Sequence, residues 1–189
     1  MKKFILTDET IEMFGVTLHR IKAVRSFGNV KEGDLGGFVE NEDNLSQDLE
    51  AWVYGEACVY GKACVCDKAH VFGEAHVCGE AHVYGEAHVC GKACVYDKAH
   101  VCDEACVFGE AHVCGEACVC GKADYIVFKN WWSSGRYFTW TRSNNMWSVG
   151  CFYGTGEELI KKAYADSEKS GREYERVVKY VRSILDDKQ

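Results

Sequence analysis

Glu74-Ala75-His76-Val77-Cys78-Gly79-Glu80-Ala81-His82-Val83-Tyr84-Gly85-Glu86-Ala87-His88-Val89 repeats itself every six residues. The same unit extends in both directions. Valine recurs at Val53, Val59, Val65, Val71, Val77, Val83, Val89, Val95, Val101, Val107, Val113 and Val119. Alanine stands two places before each, from Ala51 to Ala117, and Ala123 continues the series. An α-helix turns six residues through roughly 600°, which would smear valine around its surface rather than along one stripe. A stack of hairpins needs reversing turns, and the unit carries no such chemistry. A coil with three short strands per turn satisfies the pattern, each circuit advancing about 4.8 Å. Valine and alanine then point inward, and Gly or Asp occupies corners where positive φ is best tolerated.

The unit Val-(Tyr/Phe/Cys)-(Gly/Asp)-(Glu/Lys)-Ala-(Cys/His) resembles the hexapeptide-repeat family, which implies a left-handed parallel β-helix. The expected fold is mainly β, with about four coils over residues 51–124. Corner charges are ordered too: Lys62, Glu80, Lys98 and Glu116 alternate in sign up one edge, so stacked neighbours attract. The open ends of such a coil need covering. An N-terminal β cap is expected over residues 1–50, with strands at Lys3–Leu6, Thr10–Phe14 and Val16–Val24 and a turn at Phe14-Gly15. Val39 and Leu45 begin an irregular first coil. Residues 125–189 read as an α+β domain. It has a three-stranded meander, Tyr125–Trp131, Arg136–Arg142 and Met146–Phe152, then two amphipathic helices, Glu157–Ala165 and Arg172–Leu185.

Composition bounds the function. With 47% hydrophobic and 13% aromatic residues, the 189-residue chain can build a core, and the absence of proline suits regular strands. A net charge of −7 argues against duplex nucleic acid as a partner. No apolar run approaches a membrane span, and Thr7-Asp8-Glu9 interrupts the only stretch resembling a secretory start. A cytoplasmic protein is expected.

The 12 cysteines are the unusual count. Most flank the inward valines, as does every histidine except His19, so these side chains lie on the outer faces. Residues 18 apart stack, and only Cys102 and Cys120 are cysteines in adjacent coils of one column. Adjacent coils are close enough for a disulfide. A single eligible pair is no disulfide framework, and it suits a reducing compartment. On the same face His100, Cys102, Cys118 and Cys120 form a square of soft donors suited to tetrahedral zinc. The obstacle is distance, since residues flanking an inward valine lie about 6.6 Å apart along the strand.

Family resemblance also raises the alternative of a coenzyme A-dependent acyltransferase, trimeric, with a histidine base. Here the histidines at 70, 76, 82, 88, 100 and 112 share one repeat environment, and none is singled out. No catalytic residue is assigned, and a non-enzymatic protein is expected. The binding-prone chemistry lies in the C-terminal part. Strand alternation puts Arg136, Trp140 and Arg142 on one face and Tyr137 on the other, with Trp132 nearby. Stacked aromatics with arginines are suited to a small anionic, nucleotide-like ligand.

Leu35-Gly36-Gly37-Phe38-Val39 with Glu42-Asp43-Asn44-Leu45-Ser46, and Asn130-Trp131-Trp132-Ser133-Ser134-Gly135-Arg136 through Tyr153-Gly154-Thr155-Gly156, resemble the ends of uncharacterised phage and prophage proteins that carry such arrays. That resemblance implies a phage protein acting in the host cytoplasm, with inhibition of host defence as one role. The expected protein is a scaffold, a homotrimer, that binds a small anion or a host protein through its C-terminal domain or its inter-subunit faces.

Overall fold

In a computed structural model, which describes residues 2–121 and 123–186, the repeat forms a β-solenoid. Among the described residues, twelve two-residue strands, β4 to β15, run from Trp52–Val53 to Cys118–Val119. They stack as three parallel columns, and each valine pairs with the valine 18 residues on. Val53 to Val119 are buried, as are Ala51 to Ala117, so a dry ladder of small side chains fills the prism, while Ala123, the last of the series, is exposed. Such small residues suit the narrow interior, where larger ones would overpack.

The corners explain the Gly/Asp alternation. Gly79 has φ +70°, and a Cβ there would sit 2.9 Å from the backbone nitrogen of Asp97. Aspartate tolerates the same left-handed corner at Asp67, Asp97 and Asp103. It adds a bond as well, because Asp67 accepts from the Gly85 N–H at 3.1 Å and Asp97 from that of Gly115 at 3.2 Å. Lys62–Glu80 (2.9 Å), Lys68–Glu86 (2.8 Å) and Glu74–Lys92 (3.6 Å) join successive coils, one ion pair on each edge. Strict alternation of sign is confined to the edge of Lys62, since Glu56 and Glu74, and Glu86 and Glu104, are like-charged neighbours on the other two.

The solenoid has roughly five coils rather than four. Strand β3 (Leu35–Val39) pairs in parallel with β5 (Cys58–Val59), and Leu45 bridges Val65, which completes a level below the regular repeat. This level lacks the Ala-x-Val text, and Asn44 supplies its internal bonds, donating to the carbonyls of Gly61 (3.0 Å) and Ala63 (2.8 Å).

At the N-terminal end, β1 (Phe4–Met13) and β2 (Val16–Ala23) form a hairpin that continues the β3 sheet outward. One bulged strand replaces the two short ones expected before Phe14, with the irregularity between Leu6 and Thr10. There Thr7 Oγ1 bonds the carbonyl of Arg20, and Glu9 pairs with the Arg20 guanidinium at 2.7 Å. Arg20 also reaches Glu56 (3.1 Å), which ties the cap to the coil. Trp52, under Phe4 and Phe27, plugs the prism end.

The C-terminal meander has four strands, not three: β16 (Tyr125–Lys129), β17 (Tyr137–Thr141), β18 (Met146–Val149) and β19 (Phe152–Gly154). Gly150, at φ 59°, turns the chain where one strand was expected, so Val149 pairs with Phe152. Helices α1 (Gly156–Asp166) and α2 (Glu168–Asp186) follow. Thr155 and Glu158 cap α1 reciprocally. The helices and meander enclose a second core that includes Phe138, Trp140, Trp147, Leu159, Tyr174 and Val178. The meander closes the open end of the solenoid: Thr139 Oγ1 accepts from the His112 N–H (2.9 Å) and Ser143 Oγ from that of Cys118 (2.8 Å). These bonds satisfy strand edges that would otherwise template association. Among the described residues, no helix is long and apolar enough to cross a membrane.

Candidate ligand cleft and cysteine cluster

Asn130 organises the first candidate site. Its N–H donates to the carbonyl of Arg136 (2.8 Å), and its own carbonyl accepts from Gly135 (2.8 Å). Its side-chain oxygen accepts from the Ser133 N–H and hydroxyl, both at 3.0 Å, while its amide donates to Tyr174 Oη at 3.0 Å. The hairpin end 130–136 is thereby clamped onto α2. Beside the clamp lies a cleft of about 360 Å³ between meander and helices. Val149, Phe152, Leu159 and Ala163 line its apolar side, and Arg136, Lys162, Asp166, Ser133, Ser134 and Tyr174 are among its polar lining. The ion pairs of the helical segment are Arg172–Glu168, Arg176–Glu173, Lys179–Glu175 and Arg182–Glu157, and none of them engages Arg136 or Lys162. Burial pushes the Tyr174 phenol above its ordinary range, with Asp166 acting in the same direction, so it stays a neutral hydroxyl.

The five binding residues expected from the sequence do not form one platform. Trp132 and Trp140 are core, 7% and 2% exposed, with Trp132 edge-on to Tyr174 at 4.9 Å. Arg136 borders the cleft at one end of β17, while Arg142, at the other end, borders a separate hollow with Ile184 and Leu185. Tyr137 is exposed and lies under the Lys129 ammonium, 5.2 Å from the ring centre. Alternation along β17 holds, but its inward face is the one covered by helices. Lys162, Asp166 and Tyr174 were missed because an amphipathic helix shows which residues face inward, not which of its edges meets a cleft. Asn130 followed three residues on by Ser133 is the one local signal, a side chain set to bond the backbone ahead of it.

The second candidate lies on the last coils. Among the described residues, only the sulfurs of Cys102, Cys118 and Cys120 converge as metal-ligating groups. Cys102 and Cys120 are joined by a disulfide, with Cα atoms 4.6 Å apart. This is the one in-column pair that register allowed. Cys118 Sγ lies 3.2 Å from Cys120 Sγ and 3.9 Å from that of Cys102. The two cysteines flanking Val119 therefore lean together and overcome the strand spacing that stood against a shared ion. His100 does not join them; its ring stacks on His82 at 5.3 Å, with 12° between the planes. One other histidine pair stacks among the described residues, while His76 and His112 lie edge-on to Tyr60 and Tyr96. His70 stacks on His88, and burial holds His70, His76 and His112 below the ordinary imidazole value.

No protein-family description matches this chain, and neither does any curated protein sequence.

Proposed function

We propose that this chain is a non-enzymatic binding protein whose β-solenoid is scaffold and whose C-terminal cleft takes a small anionic ligand. The supporting observation is that Arg136 and Lys162, neither engaged by the helical ion pairs, line one cleft with an apolar wall of Val149, Phe152 and Leu159, where Asp166 is the single carboxylate against the two cations. A phosphate or carboxylate would meet the two cations, and a planar or aliphatic body would lie on the wall. The cleft volume of about 360 Å³ is at the small end of ligand sites, which suits one nucleotide-sized molecule. Capture of such a ligand is consistent with the phage-like ends of the chain and with interference in a host signal. The outer faces, where Phe108 is 59% exposed, supply contact area for a homotrimer or a host protein.

Native mass spectrometry of freshly purified protein, followed by titration with a panel of nucleotides and dicarboxylates, tests this reading. Binding should fall at least tenfold in Arg136→Ala and in Lys162→Ala. Binding unchanged in both would place the ligand elsewhere.

A second reading, a structural zinc site, is favoured by the convergence of the sulfurs of Cys102, Cys118 and Cys120. In their thiolate forms these residues offer three of the four donors of a tetrahedral zinc.

A further inference from the structure

We infer that the Cys102/Cys118/Cys120 cluster is a redox-gated soft-metal site, which holds an ion when reduced and is closed to it by the Cys102–Cys120 disulfide. This rests on the zinc reading above and adds the gate. Three sulfurs around one zinc at about 2.3 Å lie roughly 3.8 Å from one another. Cys118 is already 3.9 Å from Cys102, at that value, and 3.2 Å from Cys120, short of it, so the three sulfurs are gathered within reach of one ion. The Cys102–Cys120 spacing must open most, and breaking the disulfide frees Cys120 to move away from both Cys102 and Cys118. The backbone holds the rest of the geometry. His100 pairs with Cys118 in register across the two coils, the Cys118 N–H donates to Ser143 and the Cys120 N–H to Asp124 (3.0 Å). His100 stays in its stack with His82, which leaves the fourth position to water.

The chemistry balances with two common partners. A dithiol reductant delivers two electrons and two protons to the Cys102–Cys120 bond, becomes a disulfide itself and leaves three thiols. A zinc ion then binds and three protons depart. Hydrogen peroxide reverses the gate: two thiolates lose two electrons to form the disulfide, and with two protons the peroxide becomes two waters. The ion leaves because Cys118 alone is a single donor. The last two coils are thus stapled in both states, by a covalent bond or by a metal.

The test is anaerobic titration of the full chain with zinc, and with cadmium to read thiolate bonds by their ultraviolet band, after phosphine reduction and again after peroxide. The Cys102→Ser/Cys118→Ser/Cys120→Ser variant corrects for the other thiols. The reduced protein should bind one more equivalent than this variant, at least 100-fold more tightly than the oxidised protein does. Cys118→Ser should weaken the reduced site more than tenfold and still form the disulfide. Equal binding in both redox states would overturn the gate and leave the zinc site standing. No extra equivalent in the reduced protein would overturn both.

Discussion

The His70 imidazole stacks on that of His88 one coil away, ring centres 5.4 Å apart and planes 24° from parallel. Protonating both rings would put two like charges in contact on a half-buried face. Burial, followed by His88, holds His70 below the ordinary imidazole value, and burial does the same for His76 and His112. The unfolded chain therefore takes up protons first as pH falls. Stability from these groups is complete above the unfolded value near 6.5 and is lost as pH drops below it. Melting temperature should be lower at about pH 5.5 than at about pH 7.5. In the His70→Gln/His88→Gln protein that difference should shrink, and an undiminished difference would assign the acid sensitivity to other groups.

Gly79→Ala should destabilise the solenoid more than Gly135→Ala does. Both glycines have φ near 70°, but an added Cβ meets nothing within 4 Å at Gly135 and lies 2.9 Å from Asp97 N at Gly79. The left-handed conformation costs each variant about 1 kcal/mol. The close coil approach should add about 1–3 kcal/mol at Gly79 alone. Urea denaturation of the two variants reads the difference directly.

Asp124→Ala should loosen the last coil. The Asp124 carboxylate accepts from the Cys120 N–H (3.0 Å) and the Gly121 N–H (2.8 Å), where the repeat gives way to β16. Losing these bonds costs about 1–3 kcal/mol. Hydrogen exchange should quicken at residues 118–121 before it does at the middle coils, and uniform exchange would argue against a local role.

Tyr174→Phe should cost about 1–3 kcal/mol by leaving the buried Asn130 amide without its acceptor. Because that amide clamps the loop carrying Arg136, ligand affinity at the cleft should fall together with stability. Thermal unfolding and ligand titration on the same variant check both.

Much of this was legible because the repeat is a strict text. A period of six rules out a helix, places valine inside and assigns each outer residue to a column, and the observed register follows. The fifth coil was harder to read because Phe38, Val39 and Leu45 pair with the array without its Ala-x-Val signature. The extra meander turn rests on Gly150 alone. The candidate sites divide the same way. Periodicity put Cys102 over Cys120, yet the cleft at Arg136 came into view only after the helices were packed.

By itself the sequence determined the solenoid, its three columns, its Gly/Asp corners and the single cysteine pair in register, because local hydrogen bonding repeats wherever the text repeats. Tertiary structure decided what sequence distance cannot encode. Alternation says that Trp140 shares a side of β17 with Phe138, but only the packing of α1 and α2 makes that side the core. It likewise separates Arg136 from Arg142, and it turns Cys118 toward Cys120 while His100 stacks on His82. Side-chain direction is chosen by neighbours from distant parts of the chain, and those neighbours exist only once it is folded.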